Sequence, residues 1–182
     1  GLVGSEMCIR DSNQDDTIRI GPHTLYRIIA LRDFGDVRKG DIGGYIESEG
    51  NLSHAGRAWI SGNAKVLDDA RVYDNAKVFC NARVYGKARV FGDAQIYDCA
   101  QVCGHAGVFG NAWVYDNAKV FGEAWVYDNA RISGHVRVCG IARIYGGAEV
   151  FYNAKVSGVA QVYGTARVSS NARVFGYATV SG

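Results

Sequence analysis

The most constraining feature of this chain is a six-residue repeat. From Ile60 to Val180 a valine or isoleucine recurs every six positions, 21 times without an insertion. Two residues before each stands alanine in 20 of the 21 cases, with Val136 as the exception. Residues two apart on a strand point to the same side, so both side chains face inward and the residue between them faces outward. Strands this short, separated by Gly, Asn and Asp corners, indicate a coil rather than hairpins.

Three repeats would close one coil, which predicts a second period of 18 residues. Two residue classes in particular follow this period. The residue after the valine is aromatic in six of seven coils along one side, here called the aromatic ladder: Tyr73, Phe91, Phe109, Tyr127, Tyr145 and Tyr163. The residue before the valine is cationic in six of seven coils along another side, here called the basic column: Lys65, Arg83, Lys119, Arg137, Lys155 and Arg173.

This pattern resembles the hexapeptide repeat of left-handed β-helices, in which three hexads form one triangular coil. The resemblance implies an all-β fold, a single-stranded left-handed parallel β-helix with 18 residues per coil. The repeat count predicts about seven regular coils, with Ile46 and Leu52 as irregular early positions of the core. Abundant valine beside small alanine suits a narrow, close-packed interior.

The chain divides into three segments. Residues 1–12 share none of the repeat character and resemble translated linker sequence, so we predict a non-native leader. Residues 13–57 should form an N-terminal hairpin, from about Thr17 to Arg32 around a Gly-Pro turn, and a cap over the open end of the coils. Residues 58–182 form the predicted β-helix, and because the pattern stops at Gly182 without a cap, we expect a C-terminal truncation.

The segment from Ile28 to Ile60, IIALRDFGDVRKGDIGGYIESEGNLSHAGRAWI, carries a more specific likeness. With the repeats that follow, it resembles the YdcK family of bacterial β-solenoid proteins, whose members open with an RDF–GD–GG–aromatic–I–SE segment. The matching residues are Arg32, Asp33, Phe34, Gly40, Asp41, Gly43, Gly44, Tyr45, Ile46, Ser48 and Glu49. The resemblance implies a fold placed among hexapeptide-repeat transferases, but it carries no established activity.

Catalysis is the alternative hypothesis: an acyl-CoA-dependent hexapeptide-repeat acyltransferase, with acetyl-CoA as cofactor and His105 as the least unfavourable base. Glu123 follows His105 by 18 residues and is placed to orient it. No insertion between Ile60 and Val180 supplies a loop that would carry catalytic groups. The four histidines do not converge in sequence as zinc ligands, so we predict neither a metal site nor catalytic residues.

The aromatic ladder and the basic column are the candidate binding residues. The rings could stack on one another, form a subunit interface, or serve as a platform for a glycan or another polymer, the second alternative function. The cations would suit a polyanion, although the net charge of +2 creates no strong field. We therefore predict a non-catalytic structural or interaction module that presents flat aromatic and basic faces to a partner.

Several expectations about context follow. We expect a homo-oligomer or a protein partner at a flat face, no cofactor, and neither a membrane nor nucleic acid as partner. No apolar run approaches the ~20 residues of a membrane span, and no secretion signal is visible. Five cysteines without such a signal fit free thiols in the cytoplasm.

Overall fold

The computed structural model describes residues 7–9 and 16–182, which form an all-β parallel solenoid of stacked 18-residue coils. Each regular coil contributes one short strand to each of three sheets, and from Trp59–Ile60 to Gln161–Tyr163 each strand pairs in parallel with the strand 18 residues further on. Within the described residues no α-helix occurs, and no helix has the length and apolar character needed to cross a membrane.

The N-terminal segment forms the predicted hairpin and cap. Its strands are β1 (Met7–Ile9), β2 (Thr17–Ile20), β3 (His23–Ala30) and β4 (Ile42–Ile46). β1, β2 and β4 each pair with β3 in antiparallel orientation, and β4 then pairs in parallel with the first regular strand. β1 lies within the predicted leader 1–12, whose other residues lie outside the described part of the chain.

The three sheets are named here by their outward residues. The basic face continues from β4 through Lys65–Val66, Arg83–Val84, Gln101–Val102, Lys119–Val120, Arg137–Val138, Lys155–Val156 and Arg173–Val174. The aromatic face comprises β5 (Leu52–Gly56), Arg71–Asp74, Arg89–Val90, Gly107–Val108, Trp125–Val126, Arg143–Ile144, Gln161–Tyr163 and Thr179–Ser181. The third face comprises Trp59–Ile60, Lys77–Val78, Gln95–Ile96, Trp113–Val114, Arg131–Ile132, Glu149–Val150 and Arg167–Val168.

The described coils number about eight, against the seven regular coils expected, because the irregular segment completes one more. Ile46 pairs with Val66, and Leu52 pairs with Val72 after a single 3₁₀ turn at Glu49–Asn51. β5 then bulges, with four residues beside two of the next strand. This bulge breaks the six-residue spacing, which is why the first coil escapes the repeat count.

The interior is a single column of alanine, valine and isoleucine. From Ala58 to Val168, every inward alanine, valine and isoleucine of the repeat is at most 5% exposed. Val136, the one departure from alanine, is also fully buried. The outward residues close the ladder between coils: Trp125 donates its backbone N–H to the Ala142 carbonyl at 2.9 Å, and Tyr127 donates to Ile144 at 3.0 Å. The core therefore runs without interruption along the solenoid axis.

Every corner of the regular coils turns through a left-handed residue. All 20 positions that lie two residues after an inward valine or isoleucine, from Gly62 to Gly176, have a positive φ. Twelve are glycine and five are aspartate, the residue types that tolerate this conformation best. The aspartates also bind the next coil: Asp68 accepts the Gly86 N–H at 2.8 Å, and Asp116 accepts the Gly134 N–H at 2.9 Å.

Candidate functional site

The aromatic ladder is one continuous stack. Its successive ring centroids lie 4.7 to 5.1 Å apart, and the planes of neighbours differ by at most 9°. All six side chains are half-buried, and burial raises the pKa of the Tyr127 hydroxyl. Each interior ring therefore has a neighbour against both faces, so a ligand approaching from solvent meets ring edges. This geometry agrees with self-stacking, whereas a polymer platform needs open ring faces.

Cations flank the ladder on the aromatic face, but they do not form an unbroken row. Arg71 and Arg89 are followed by Gly107 and Trp125 before Arg143 continues the sheet. The Trp125 ring meets Phe109 edge to face, with centroids 5.7 Å apart. A Cβ at Gly107 would lie 3.9 Å from each of these rings, an ordinary contact, so the packing does not require glycine at this outward position.

The basic column forms one row on the basic face. Register pairs Lys119 with Arg137, Arg137 with Lys155, and Lys155 with Arg173, so four cations occupy adjacent strands. All four are exposed, and none forms an ion pair within residues 7–9 and 16–182. Elsewhere on the solenoid Arg167 pairs with Glu149 at 3.1 Å. From Lys119 to Arg173 the basic column is thus an uninterrupted row of cations, without neutralising carboxylates among the described residues.

The N-terminal part of the basic column is less open. Lys65 is half-buried, and its ammonium donates to the Asn63 carbonyl at 2.9 Å. Burial lowers the Lys65 pKa, and the neighbouring charges of Arg83 and Arg27 lower it further. Gln101 then separates Arg83 from the four cations that follow. The stretch most available to a partner therefore begins at Lys119.

His105, the base of the enzyme hypothesis, occupies an exposed corner. It lines a groove of about 540 Å³ together with Phe109, Glu123 and Trp125. His105 forms no hydrogen bond with Glu123, so the orienting contact expected from their 18-residue spacing is not formed here. His135, another corner histidine, is also exposed. The two corner histidines thus lack the hydrogen-bonded partner that a general base uses to fix its ring.

Sequence reasoning missed a cluster formed by His23, Glu47 and Asp68. His23 Nδ1 lies 2.8 Å from Glu47 Oε1, and Nε2 lies 3.5 Å from Asp68 Oδ1. The hydrogen bond from His23 to the Glu47 carboxylate is the main reason that the His23 pKa is raised, and the same bond lowers the pKa of Glu47. These residues do not share the 18-residue period, because the hairpin folds back to bring His23 against the first coils.

This cluster is the one group in the described residues with three side chains placed to share a cation, their ligand atoms lying within 4.8 Å of one another. Its second carboxylate oxygens are engaged elsewhere: Glu47 accepts the Asp68 N–H at 2.7 Å, and Asp68 accepts the Gly86 N–H. Both histidine nitrogens already face carboxylates. The geometry is that of an ion-pair latch that joins the hairpin to the first two coils.

A cavity of about 340 Å³ opens on the third face. It lies where a second, shorter stack of rings is interrupted: Phe79, Tyr97 and Tyr115 stack at 4.9 Å, and the next position is Ser133. Phe151 follows one coil later and lines the same cavity. Reading the sequence in steps of 18 from Phe79 would have shown this gap.

The residues that carry the family likeness build the cap. A side chain at Gly43 would lie 2.5 Å from Ile28, and one at Gly44 would lie 2.6 Å from the Ala64 carbonyl, so both must be glycine for β4 to pack. The Phe34 ring meets Trp59 edge to face at 5.6 Å. These residues therefore have packing roles in the cap.

The fold and these surfaces define a parallel β-solenoid with a folded-back cap. The family model of the YdcK beta solenoid repeat matches residues 100–116, nearly one coil, and confirms the resemblance. The chain therefore carries a YdcK-type β-solenoid repeat. No curated protein matches the chain.

Proposed function

We propose that this protein is a non-catalytic interaction module whose basic face binds an acidic surface of a partner protein. The observation that carries the proposal is the row Lys119, Arg137, Lys155 and Arg173, exposed on adjacent strands and without carboxylate partners in the part of the chain that the structure describes. Parallel strands stand about 4.8 Å apart, so these like charges repel one another until a partner supplies anions. A flat sheet can meet such a partner without rearranging its backbone.

The acidic residues of the solenoid are almost absent from the outward strand positions, which favours a partner of negative charge for the basic face. Of the 21 outward positions before the inward valines and isoleucines, 12 are Lys or Arg and one, Glu149, is acidic. Most of the acids stand at corners, where carboxylates such as those of Asp68 and Asp116 already accept backbone hydrogen bonds from the next coil. The face is therefore basic while the net charge of the whole chain stays near zero.

The test is binding of fluorescein-labelled poly-glutamate, measured by fluorescence anisotropy at several salt concentrations. The triple variant Lys119→Gln, Arg137→Gln and Lys155→Gln should lose at least about tenfold in affinity and most of the salt dependence. Glutamine keeps a polar side chain and removes the charge, although it is shorter than lysine and arginine. Wild-type protein that fails to bind, or binds single-stranded DNA more tightly than poly-glutamate, would overturn the proposal.

The matched control removes the same charge from the aromatic face. Arg71→Gln, Arg89→Gln and Arg143→Gln lie at the equivalent outward positions, and all three arginines are exposed. This triple variant should change the affinity by less than about twofold if the continuous row matters. Equal losses in both variants would show a response to net charge alone.

The second candidate is the acyl-CoA-dependent acyltransferase, and the groove that holds His105 is the observation in its favour. A cavity of about 540 Å³ is large enough for a small ligand, and the rings of Phe109 and Trp125 supply apolar walls. The lack of a hydrogen bond between His105 and Glu123 weighs against it. Binding of acetyl-CoA separates the two candidates, as described below.

A further inference from the structure

The ring stack on the third face lacks one member. Phe79, Tyr97 and Tyr115 stack with centroids 4.9 Å apart and planes within 6° of parallel. The register then places Ser133 where the next ring would stand, and Phe151 follows one coil later. The stack on the aromatic face shows that this repeat position holds a ring in six consecutive coils.

The missing ring leaves a space of suitable size. Two coils separate Tyr115 from Phe151, about 9.6 Å along the solenoid axis. Aromatic groups stack with centroids about 4.5 to 7 Å apart, so one planar group fits between the two rings. The cavity there has a volume of about 340 Å³, with Ser133, Gly134 and Tyr152 among its lining residues. This volume lies in the range of small-molecule sites.

One cation at this cavity is not neutralised. Arg131 begins the strand Arg131–Ile132, which Ser133 directly follows, so it stands at the level of the missing ring. Its guanidinium lies 5.1 Å from the centre of the Trp113 ring and forms no ion pair within the described chain. Arg167 also lines the cavity, but Glu149 neutralises it at 3.1 Å. Asp116, the second carboxylate of the lining, accepts the Gly134 N–H at 2.9 Å and forms no ion pair with Arg131, so Arg131 is the cation left to receive an anion.

We propose that this cavity, here called the Ser133 slot, binds a small planar aromatic compound with an anionic substituent. The ring of the ligand would lie over Ser133, between Tyr115 and Phe151, in the place of the missing member of the stack. Its anion would pair with Arg131, which is planar and suited to carboxylate or phosphate. The slot is on a different face from the basic column, so this proposal does not depend on the proposed function.

Isothermal titration calorimetry with three probes tests the ligand chemistry. Indole-3-carboxylate is planar and anionic, indole lacks the anion, and cyclohexanecarboxylate lacks the planar ring. We expect indole-3-carboxylate to bind, indole to bind about tenfold more weakly, and cyclohexanecarboxylate to give no measurable heat. Absence of indole-3-carboxylate binding, or equal binding of all three probes, would overturn the proposal.

Variants test the location. Ser133→Tyr supplies the missing ring and should abolish binding, while Ser157→Tyr, at the same repeat position on the basic face, should leave it unchanged. Ser133→Leu fills the slot without a planar ring and serves if the tyrosine variant does not fold. Retained binding in a folded Ser133 variant would refute the slot.

A matched pair of variants tests the contact between Arg131 and the anion of the ligand. Arg131→Gln should weaken indole-3-carboxylate about tenfold, to the level of indole, and leave indole itself unchanged. Arg143→Gln, an outward arginine on the aromatic face, should affect neither probe. If Ser133→Tyr instead converts an oligomer to monomer in sedimentation, while indole-3-carboxylate never binds, the slot receives a side chain of a second copy and the proposal is wrong.

Discussion

The rings of Phe109 and Tyr127 lie 4.9 Å apart with planes within 1° of parallel, although 18 residues separate them in the chain. Such alignment requires that each coil repeats the one before it without a change in length. The in-register pairing of Val108 with Val126 and the uninterrupted inward column supply this condition. The stack is therefore a product of the backbone register, and it adds ring contacts to the hydrogen bonds between coils.

Removing two rings from the middle of the aromatic ladder should destabilise the solenoid. Tyr127→Ala with Tyr145→Ala eliminates three ring pairs, and each pair contributes about 0.5–1.5 kcal/mol beyond burial, so the free energy of unfolding should fall by about 1.5–4.5 kcal/mol. Urea denaturation measures this loss. Tyr177→Ala, which removes a ring 89% exposed, should have little effect.

The same double variant tests the interface hypothesis for the ladder. If the rings form a subunit contact, the mass measured by light scattering should fall with the substitution. An unchanged melting temperature together with an unchanged mass would contradict both roles.

Replacing a corner glycine that has a positive φ should destabilise the protein far more than replacing a corner glycine that does not. Gly134 has φ +72°, and an added Cβ would lie 2.6 Å from the Tyr152 carbonyl oxygen of the next coil, so Gly134→Ala should lower stability by at least about 1–2 kcal/mol. Gly147, at a corner without a positive φ, has its closest contact at 3.5 Å. Gly147→Ala should therefore be nearly neutral in thermal unfolding, and equal effects of the two substitutions would contradict this account.

The latch between His23 and Glu47 should make the cap sensitive to pH. The His23 pKa is raised above 6.5 and the Glu47 pKa is lowered below 4.5. The histidine contribution is complete below 6.5 and is lost as pH rises through the raised pKa. The glutamate contribution is complete above 4.5 and is lost as pH falls through the lowered pKa. The latch should therefore stabilise most between these two values.

Thermal unfolding of the wild type and of His23→Gln across this range measures the effect. The difference in melting temperature should be largest inside the window and should shrink on both sides. His135→Gln changes an exposed corner histidine outside the latch, so its difference from wild type should not follow this profile. A His23→Gln difference that is constant with pH would rule out the latch.

Acetyl-CoA should produce no thermal shift and no calorimetric heat. The interaction module has no use for an acyl donor, and His105 lacks a hydrogen-bonded partner to fix its ring. Micromolar binding that His105→Ala abolishes would favour the acyltransferase over the proposed function. Lys87→Ala, at the equivalent corner one coil earlier, would then show whether the loss is specific to the histidine.

The repeat made most of the solenoid predictable. Because inward and outward positions alternate with a fixed period, the sequence alone places Tyr127 beside Tyr145 and Lys119 beside Arg137. The coil containing Leu52 was less predictable, since the β5 bulge lengthens it and the six-residue spacing does not predict a bulge. Periodicity thus predicts contacts along the axis and fails where the chain departs from the period.

The latch could not be read from the repeat for the same reason. His23 reaches Glu47 and Asp68 only because the hairpin crosses the end of the solenoid, a tertiary arrangement with no sequence period. Ser133 differs, because it occupies a repeat position and can be found by reading every eighteenth residue from Phe79. Its column is aromatic in four of seven coils, against six of seven in the aromatic ladder, so the 18-residue period of rings is weaker there.

Strict register has a consequence for anything that binds along the axis. A partner that contacts only repeated features meets an equivalent surface after each 18-residue step, so it can slide by one coil at little cost. Ser133 removes that equivalence, because one level of the third face differs from those on either side. A binder that inserts a group at Ser133 is therefore fixed at one coil, whereas contacts with the repeated features alone do not determine which coil is occupied.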